Sequence, residues 1–453
     1  MKTYDLIVIG GGPAGYTAAL WAAKSGYSVA LIEEDYLGGT CLNRGCIPAK
    51  TLLETAGLLE KIRQAEKFAI TVSGTFSADR EKLAARKNKI IQTLREGLRM
   101  MIEASGIEAI HARAKILGGG KVAIAQESTA AIAGKKIIIA TGSRQADIGI
   151  SGAELMTSSD EALELESIPM EVCIIGGGVM GVEMAAFYAG LGCNTHIIEA
   201  MPDLLMNVDR EMANILQSCL INKGITITTG SKVISVKEED CAKAVTYLTN
   251  EREETARVNM VLNAAGRIAN TNDLGLEACG IKCDKKGFIL VDQYLRTTAE
   301  HIYAAGDVTG GMLLAHAAFD EGRIAAANAM KASREIAGKR AVPQCIYSHP
   351  EIASVGLTAE AAQLRNMKVR EERFPLSANG RALAAECGEG LVKVVAEQEL
   401  GQIVGVHIVG EKATEVIGTG VVAVEGEYTC EEFAKLIFAH PTICEALKDA
   451  VSK

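Results

Sequence analysis

The sequence has no long block of like charge, no basic arm and no long hydrophobic run. It carries 47 Lys and Arg against 56 Asp and Glu among 453 residues, for a formal net charge of −9. Nucleic acids and anionic membranes bind clustered cations, so neither is expected as a partner. The first apolar run, residues 6–9, is too short for the core of a signal peptide or for a membrane span. We therefore expect neither secretion nor membrane insertion, and we predict a cytoplasmic protein.

What is present is typical of a soluble globular protein, with 48% hydrophobic and 23% charged residues. A chain of 453 residues is long enough for roughly two to four domains. Twelve cysteines are scattered along it, and in a reducing compartment most of them are expected to stay thiols.

Cys41 and Cys46 lie five positions apart, directly behind a glycine-rich turn at residues 38–40. Residues five apart in an ideal α-helix have Cα atoms about 8–9 Å apart, whereas a disulfide needs less than about 7 Å. We expect Gly45 to supply an unusual backbone conformation and Pro48 to interrupt the helix, so that the two sulfurs can meet. A strained disulfide is easily reduced, and the pair is therefore predicted to be redox-active.

Spacing alone leaves two other interpretations of this pair open. The cysteines are either unrelated thiols in a reducing cytosol or ligands of a metal ion. The metal interpretation is the weaker one, because no second pair of Cys or His stands nearby at ligand spacing. No metal ion is predicted.

The N-terminus has the pattern of a dinucleotide-binding module. An apolar strand at residues 4–9 runs into the turn Gly10-x-Gly12-x-x-Gly15, a helix follows, and a second apolar run ends on Glu33. Glycines let the backbone approach a pyrophosphate, and the helix N-terminus offers it unpaired N–H groups. Glu33 is placed to hydrogen-bond an adenosine ribose.

The same arrangement recurs in the middle of the chain. Residues 172–175 lead into Gly176-x-Gly178-x-x-Gly181, and a strand at residues 194–198 ends on Glu199. The acid stands at the same distance from the first glycine in both copies, so we infer two dinucleotide-binding modules. The alternative for each is a glycine-rich turn that binds no ligand.

The residues after Glu199 indicate which dinucleotide each module binds. Residues 200–203 contain no Arg or Lys to meet a 2′-phosphate, and the carboxylate would repel one, so the second module is predicted to prefer NAD(H). The first module is then predicted to bind a flavin, because a disulfide needs an intermediary to exchange electrons with a nicotinamide.

Three further segments complete the pattern. Residues 77–103 predict a packing helix, with Lys87 on its buried face as a stem whose amine reaches solvent. The apolar residues predicted for that face are Leu83, Ile90, Ile91, Leu94, Leu98 and Met101. Asp307 ends a strand and either binds a sugar-like hydroxyl chain or is an ordinary Gly-Asp turn. From residue 341, alternating apolar residues predict an antiparallel sheet. This region has no nucleotide-binding motif, and we expect it to form an oligomer interface.

His440 precedes a proline, and Glu445 begins a helix that could turn its carboxylate back onto the imidazole. Such a pair would hold one tautomer and raise the basicity of the other nitrogen. His349 has a similar His-Pro-Glu setting, so spacing alone does not choose between the two histidines.

Together these motifs resemble the two-cysteine pyridine-nucleotide disulfide oxidoreductases over nearly the whole chain, and most of all their dihydrolipoamide dehydrogenase branch. The pieces that carry the resemblance are residues 38–50, the two glycine modules, and residues 305–307, 347–351, 377–382 and 440–445. It implies an α/β fold with two Rossmann-like dinucleotide-binding domains, one for FAD that is discontinuous and one for NAD that is inserted into it, and a C-terminal α+β dimerisation domain. The expected limits are 1–147 and 269–340 for the FAD domain, 148–268 for the NAD domain and 341–453 for the interface domain.

The resemblance also implies roles for residues. Cys41 is the thiol that meets the substrate and Cys46 the thiolate next to the flavin, while His440 and Glu445 are an acid–base dyad reaching the cysteines of a partner subunit. Lys50 is expected near the flavin N5, paired with Glu183. Glu33, residues 141–143 and Asp307 would hold FAD, and Glu199 and Gly266 would hold NAD. The cofactor-binding residues implied are Gly10, Gly12, Gly15, Glu33, Gly39, Thr40, Lys50, Ala114, Thr141, Gly142, Ser143, Asp307, Leu314, Ala315, His316, Gly176, Gly178, Gly181, Glu183, Glu199, Val233 and Gly266.

The implied reaction is the oxidation of a dihydrolipoyl group, on a carrier protein or as free lipoamide, by NAD⁺ through FAD and the disulfide. The implied assembly is a homodimer that serves a 2-oxoacid dehydrogenase or glycine cleavage system and docks at its periphery. Arg44 departs from the small apolar residue usual at its position, and a cation there is expected to lower a neighbouring thiol pKa.

Two rivals remain. An NADPH-linked reductase of a small disulfide such as glutathione would want Arg or Lys after Glu199. A non-catalytic flavoprotein whose thiols sense redox state would have no use for a complete acid–base and dithiol set.

Overall fold

In the computed structural model of the protein, which describes residues 1–125, 130–331, 333–338 and 340–452, the chain divides into two units. Unit 1 comprises Met1–Ala49, Ala84–Ala146 and Gly266–Arg340, and unit 2 comprises Lys50–Leu83, Asp147–Ala265 and Ala341–Lys453. The finer limits of the FAD, NAD and interface domains stay a prediction.

The helices are, in chain order, α1 (Pro13–Lys24), α2 (Gly39–Arg44), α3 (Cys46–Arg63), α4 (Arg80–Ala104), α5 (Ser159–Glu164), α6 (Val179–Leu191), α7 (Arg210–Asn222), α8 (Ala315–Lys331), α9 (Ala359–Leu364), α10 (Gly380–Ala384), α11 (Ala413–Glu425), α12 (Cys430–Ala434) and α13 (Glu445–Val451). Single 3₁₀ turns occur at Ala65–Phe68, Ala153–Leu155, Glu277–Cys279, Asp307–Thr309 and Leu376–Ala378. Within the described part of the chain, no helix has the length and apolar character needed to cross a membrane.

The strands are, in chain order, β1 (Thr3–Ile9), β2 (Val29–Glu33), β3 (Glu108–His111), β4 (Arg113–Gly118), β5 (Lys121–Ala125), β6 (Ala130–Ile139), β7 (Ser143–Gln145), β8 (Glu171–Ile175), β9 (Asn194–Ile198), β10 (Thr226–Thr228), β11 (Ser231–Glu239), β12 (Ala242–Thr249), β13 (Arg252–Val258), β14 (Met260–Asn263), β15 (Arg267–Ala269), β16 (Ile302–Ala304), β17 (Gln344–Ile346), β18 (Glu351–Gly356), β19 (Val369–Pro375), β20 (Leu391–Glu397) and β21 (Ile403–Gly410).

Unit 1 is built on one sheet in the order β3-β2-β1-β6-β5-β4, with β16 paired to β6. Strands β1, β2, β3, β6 and β16 run parallel, whereas β4 and β5 form an antiparallel hairpin against β6. Towards their carboxyl ends the inner strands are apolar on both faces and buried, at residues 6–9, 29–32 and 137–139, as a parallel sheet covered on both sides requires. Because β16 comes late in the chain, the first module is discontinuous, as expected.

The first glycine of each module has a backbone conformation that a side chain would prevent. Gly10 has φ +103°, and a Cβ there would lie 2.2 Å from the Ala140 carbonyl oxygen. Gly176 has φ +109°, and its Cβ would lie 2.7 Å from the Ala264 oxygen. Only glycine fits where the strand turns into the helix this close to the neighbouring strand.

Unit 2 contains three sheets. A parallel sheet, β10-β9-β8-β14, carries the second glycine module, and β11, β12 and β13 form an antiparallel sheet. The C-terminal part is a five-stranded antiparallel sheet in the order β17-β18-β21-β20-β19, with α11 packed on it. The predicted fold class, two doubly wound modules and a C-terminal α+β region, is confirmed.

The predicted packing helix exists as α4, and Leu83, Ile91 and Leu98 are buried as predicted, but other residues predicted for the same face are not. Leu94 and Met101 are 42% and 54% exposed, whereas Leu98 and Ile102 lie in the core. Lys87 was expected to reach solvent, yet it is only 1% exposed. The buried stripe of the helix therefore includes the cationic side chain of Lys87. Its members, most of them four residues apart, are Leu83, Lys87, Ile91, Leu98 and Ile102.

Because Leu98 is buried and Leu94 is exposed, replacing each by alanine should lower the free energy of unfolding by different amounts. Leu98→Ala should lower the free energy of unfolding by about 2–4 kcal/mol, because it leaves a cavity in the core of unit 1. Leu94→Ala should change it by less than about 0.5 kcal/mol. Urea unfolding followed by circular dichroism compares them, and equal losses would contradict the assignment of the buried face.

Candidate active site

The two cysteines lie on either side of a helix break. Cys41 is in α2, which ends at Arg44, and Cys46 is the first residue of α3, with Gly45 between the helices. Both cysteines are half-buried. Gly45, with φ −141° and ψ −109°, has the unusual backbone conformation predicted for it, and the helix α2 ends there. Pro48 was predicted to interrupt the helix and does not. Pro48 lies in the first turn of α3, where a missing N–H leaves no helical hydrogen bond unmade.

The start of the cysteine turn packs on the first glycine module. Gly39 has φ +56°, and a Cβ there would lie 2.7 Å from the Cα of Gly12. The Gly38 N–H also donates to the Gly11 carbonyl at 2.8 Å. The cysteines are therefore tied to the turn in which a pyrophosphate is expected.

The two acids predicted to bind ribose, Glu33 and Glu199, have equivalent surroundings. The Glu33 carboxylate accepts the N–H of Gly11 and, at 2.9 Å, that of Asp35. The Glu199 carboxylate accepts the N–H of Gly177 and, at 2.6 Å, that of Met201. Burial raises the pKa of Glu33, and the Gly11 N–H opposes this shift. Each acid is thus oriented by backbone donors at the end of its strand.

A cavity of about 280 Å³ lies at the carboxyl ends of the strands of unit 1. Its walls include four predicted cofactor-binding residues, Gly10, Glu33, Ala114 and Thr141. Arg113 also lines the cavity and was not predicted.

Ser143 and Asp307, both predicted to bind FAD, meet each other through a hydrogen bond of 2.6 Å from the Ser143 Oγ to the Asp307 Oδ2. Arg267 donates to the Ser143 Oγ and carbonyl oxygen, each at 2.7 Å. Glu321 accepts the Gly306 N–H at 2.7 Å, and burial raises the pKa of Glu321. Arg267 and Glu321 were not predicted as site residues. The partner of Arg267 lies 124 positions away and that of Glu321 lies 15 positions away, and no local motif links either pair.

The remaining predicted cofactor residues are spread over both units. In unit 1, Gly142 is in the left-handed region, Thr40 is in α2, and Leu314, Ala315 and His316 lie at the start of α8, with His316 exposed. Gly266, predicted to bind NAD, also belongs to unit 1 and has φ +117°. In unit 2, Gly178 precedes α6, Gly181 is buried within it, and Val233 is buried in β11.

Lys50 and Glu183 form an ion pair within unit 2. The Lys50 Nζ lies 2.8 Å and 3.0 Å from the two carboxylate oxygens, and Glu183 is only 2% exposed. Glu183 also accepts the Tyr347 N–H at 3.0 Å, and the Lys50 Nζ lies 4.6 Å from the Tyr347 ring centre. A buried carboxylate needs such partners, and here it fixes the position of the ammonium group.

The two candidate histidines differ in their surroundings. The His440 Nδ1 lies 3.0 Å from the Glu445 carboxylate, and its ring is largely exposed. The His349 Nε2 is buried near Gly57 and has no hydrogen-bond partner among the described residues. Of these two histidines, His440 is the one that the described residues show hydrogen-bonded to a carboxylate, as an acid–base dyad needs.

The loop that carries His440 is fixed by a short network. The Glu445 carboxylate accepts the Thr442 N–H at 3.1 Å, and the buried Asn379 donates to the Thr442 carbonyl at 3.0 Å. Burial by itself would raise the pKa of Glu445, but hydrogen bonds from His440 and the Thr442 N–H outweigh burial and leave that pKa below its usual value. Glu445 is therefore held ionised beside the imidazole.

Arg44 forms an ion pair with Asp35. Its charge therefore has a carboxylate partner, which reduces the field that it can exert on a thiol. Among the described residues, no cluster of three or more His, Cys, Asp or Glu side chains could hold a metal ion.

Comparison with protein families gives two matches that together span nearly the whole chain. Residues 4–322 match the pyridine nucleotide-disulphide oxidoreductase model, and residues 342–451 match the dimerisation domain of the same group. The chain belongs to the pyridine nucleotide-disulphide oxidoreductase family. It is therefore an oxidoreductase, and membership brings the cofactors predicted from sequence, FAD and NAD(H).

Individual relatives are similar over their full lengths. The chain is 39% identical to a dihydrolipoyl dehydrogenase of Bacillus subtilis, covering 98% of this chain and 97% of that one. It is 37% identical to a dihydrolipoyl dehydrogenase of Thermus scotoductus, covering 99% and 97%. Among solved structures, a Cu(II) complex of the HOCl-induced flavoprotein disulfide reductase RclA from Escherichia coli matches with a TM-score of 0.90 and 28% identity, covering 100% and 99%.

The Glu445 hydrogen bonds predict a pH-dependent contribution to stability. Because its folded pKa lies below the unfolded value of about 4.3, the contribution should be complete above that pH and vanish as the pH falls through the folded pKa. Thermal unfolding of wild type and Glu445→Gln should therefore differ at pH 7 and converge in acid. Glu427→Gln, at an exposed position, serves as the control. A difference between wild type and Glu445→Gln that did not change with pH would argue against this account.

Proposed function

We propose that the protein catalyses the FAD-dependent oxidation of dihydrolipoyl groups by NAD⁺ through a redox-active Cys41–Cys46 disulfide. The observation that carries the proposal is the 39% identity, over 98% of the chain, with a relative named dihydrolipoyl dehydrogenase. The solved disulfide reductase is a more distant match at 28% identity.

The residues present fit the two dinucleotides. A Cβ on Gly178 would meet no atom within 4 Å, and one on Gly12 would meet only the Gly39 Cα at 3.8 Å, so the space over both helix N-termini is open. Neither α1 nor α6 has a side-chain cap on its first N–H groups, which leaves those donors for phosphate oxygens. FAD, when bound, supplies the two-electron chemistry that connects sulfur to NAD⁺.

The chain's own residues account for the steps at sulfur. His440 removes a proton from one dihydrolipoyl thiol, because only a thiolate attacks sulfur. That thiolate attacks the Cys41 sulfur and releases Cys46, and the second lipoyl thiol then displaces Cys41. Two electrons and two protons have passed from the lipoyl dithiol to the cysteine pair, and the lipoyl disulfide leaves.

The other residues have supporting roles in this proposal. Glu445 holds the His440 Nδ1–H, so that the Nε2 nitrogen faces the substrate. The Lys50–Glu183 pair places a cation near the flavin, Glu33 and Asp307 bind hydroxyl groups of FAD, and Glu199 binds the ribose of NAD.

The proposed assembly is a cytoplasmic homodimer in which His440 of one subunit serves the cysteines of the other. A dimerisation domain matches residues 342–451 and supports this arrangement. The substrate is free lipoamide or a lipoyl carrier protein of a 2-oxoacid dehydrogenase or glycine cleavage system, with docking at the periphery of that complex. The four expected domain segments, 1–147, 148–268, 269–340 and 341–453, belong to the same proposal.

An anaerobic titration of the purified flavoprotein with dihydrolipoamide, followed by NAD⁺, tests the reaction. Dihydrolipoamide should reduce the wild-type protein, and NAD⁺ should reoxidise it. Cys46→Ser should abolish lipoamide turnover while retaining NADH-dependent reduction of a dye, because dye reduction does not require the cysteine pair. Cys241→Ser, at an exposed position, is the control. A Cys46→Ser protein with normal lipoamide turnover, or a strong preference for NADP⁺, would refute the proposal.

The two histidines provide a second test. His440→Gln should lower lipoamide turnover by about 10²–10⁴-fold, because the base that generates the thiolate is lost. His349→Gln should remain close to wild type in steady-state assays. Equal losses in both variants would remove His440 from its proposed role.

A further inference from the structure

Asn43, which lies between the two cysteines, uses all of its hydrogen-bonding groups within unit 1. Its Nδ2 donates to the carbonyl oxygens of Gly39 at 2.8 Å and Leu37 at 3.1 Å. Its Oδ1 accepts two hydrogen bonds from Arg95, at 3.0 Å from Nε and 2.8 Å from Nη2. An asparagine amide has two donor hydrogens and two acceptor lone pairs, so the group is satisfied.

These bonds connect three separate stretches of chain. They join the loop before the cysteines, the short helix α2 that carries Cys41, and the helix α4 that carries Arg95. A helix as short as α2, Gly39–Arg44, has little stability of its own in water. Asn43 is the buried residue of α2, so its contacts set where the cysteine turn lies.

Arg95 makes contacts that a lysine cannot reproduce. Its guanidinium carbon lies 3.6 Å from the centre of the Tyr36 ring, while two of its N–H groups point at Asn43. A planar guanidinium can stack on the ring and donate two N–H bonds in a fixed fork at the same time, whereas an ammonium group has neither the flat face nor the fork. The position of the Arg95 side chain is therefore fixed, because its backbone belongs to the long helix α4 and its guanidinium group stacks on the Tyr36 ring.

We propose that Arg95, acting through Asn43, is a positioning residue for the Cys41–Cys46 pair and favours its disulfide form. The physical basis is that a disulfide forms only when the two Cα atoms lie within about 4.4–6.8 Å, so a turn held in place keeps the thiols at high effective concentration. This inference rests on the redox role of the pair in the proposed function.

The expected effect is on the equilibrium between dithiol and disulfide. With glutathione as the couple, the two cysteine thiols lose two electrons and two protons to one glutathione disulfide, which becomes two glutathione thiols. Arg95→Ala should lower the constant for forming the protein disulfide by about tenfold, which for a two-electron couple is about 30 mV towards easier reduction.

The test is a glutathione redox titration of the purified flavoprotein, in which alkylation and mass spectrometry report the thiol state of Cys41 and Cys46. Arg95→Ala and Arg95→Lys are compared with Arg99→Ala. Arg99 lies on the same helix and is exposed, paired with Glu96 and Glu103, so its removal changes the charge equally without touching Asn43. The expected order of disulfide stability is wild type and Arg99→Ala, then Arg95→Lys, then Arg95→Ala.

The titration of these variants either supports or overturns the positioning role of Arg95. If Arg95→Ala does not fold, Arg95→Lys provides the test, because it keeps the aliphatic chain and the charge. Its equilibrium constant for forming the Cys41–Cys46 disulfide should still be about threefold lower than in the wild type, since the paired N–H donors and the stacking on Tyr36 are lost. An Arg95→Lys protein with the wild-type constant would overturn the proposal. The titration uses no lipoamide, so a protein that lacks lipoamide turnover yet shows the shift would refute the proposed function and leave the positioning role intact.

Discussion

The close approach of Gly39 to Gly12 is the contact on which the candidate site of unit 1 depends. It brings the first residue of the cysteine helix against the middle glycine of the first module, with no room for a side chain on Gly39. A pyrophosphate bound over that turn and a thiol carried by α2 are thereby given a fixed spacing. The cavity lined by Gly10, Glu33 and Thr141 lies in the same unit. The first glycine turn and the helix that carries Cys41 are thus packed directly against each other.

Carboxylates that accept backbone N–H groups recur at four loops of the candidate site residues. Glu33 and Glu199 hold the glycine turns of the two modules, Glu321 holds the turn before Asp307, and Glu445 holds the turn after His440. An ionised oxygen that receives a backbone hydrogen bond is a stronger acceptor than a neutral one, so each of these bonds fixes a loop as well as a charge. The Lys50–Glu183 pair follows the same rule, because Glu183 also accepts the Tyr347 N–H.

Local sequence patterns were enough to predict much of the fold and part of the candidate site. The glycine modules, the strand ends at Glu33 and Glu199 and the C-terminal antiparallel sheet were predictable, because strand, turn and helix there follow one another along the chain. Single side chains on helices were less predictable. Lys87 and Leu94 were assigned to the wrong environments, since the face that a helix buries depends on what packs against it.

By itself, the sequence determined the chemistry available to this protein: a close pair of thiols, two phosphate-binding turns each followed by an acid, and a histidine near a carboxylate. It could do so because these groups lie within a few residues of one another. Only the tertiary structure decided which partners hold them. Arg95 reaches Asn43, Arg267 reaches Ser143 and Asn379 reaches Thr442 across large separations in sequence. Such contacts arise when distant elements pack, and no local spacing encodes them.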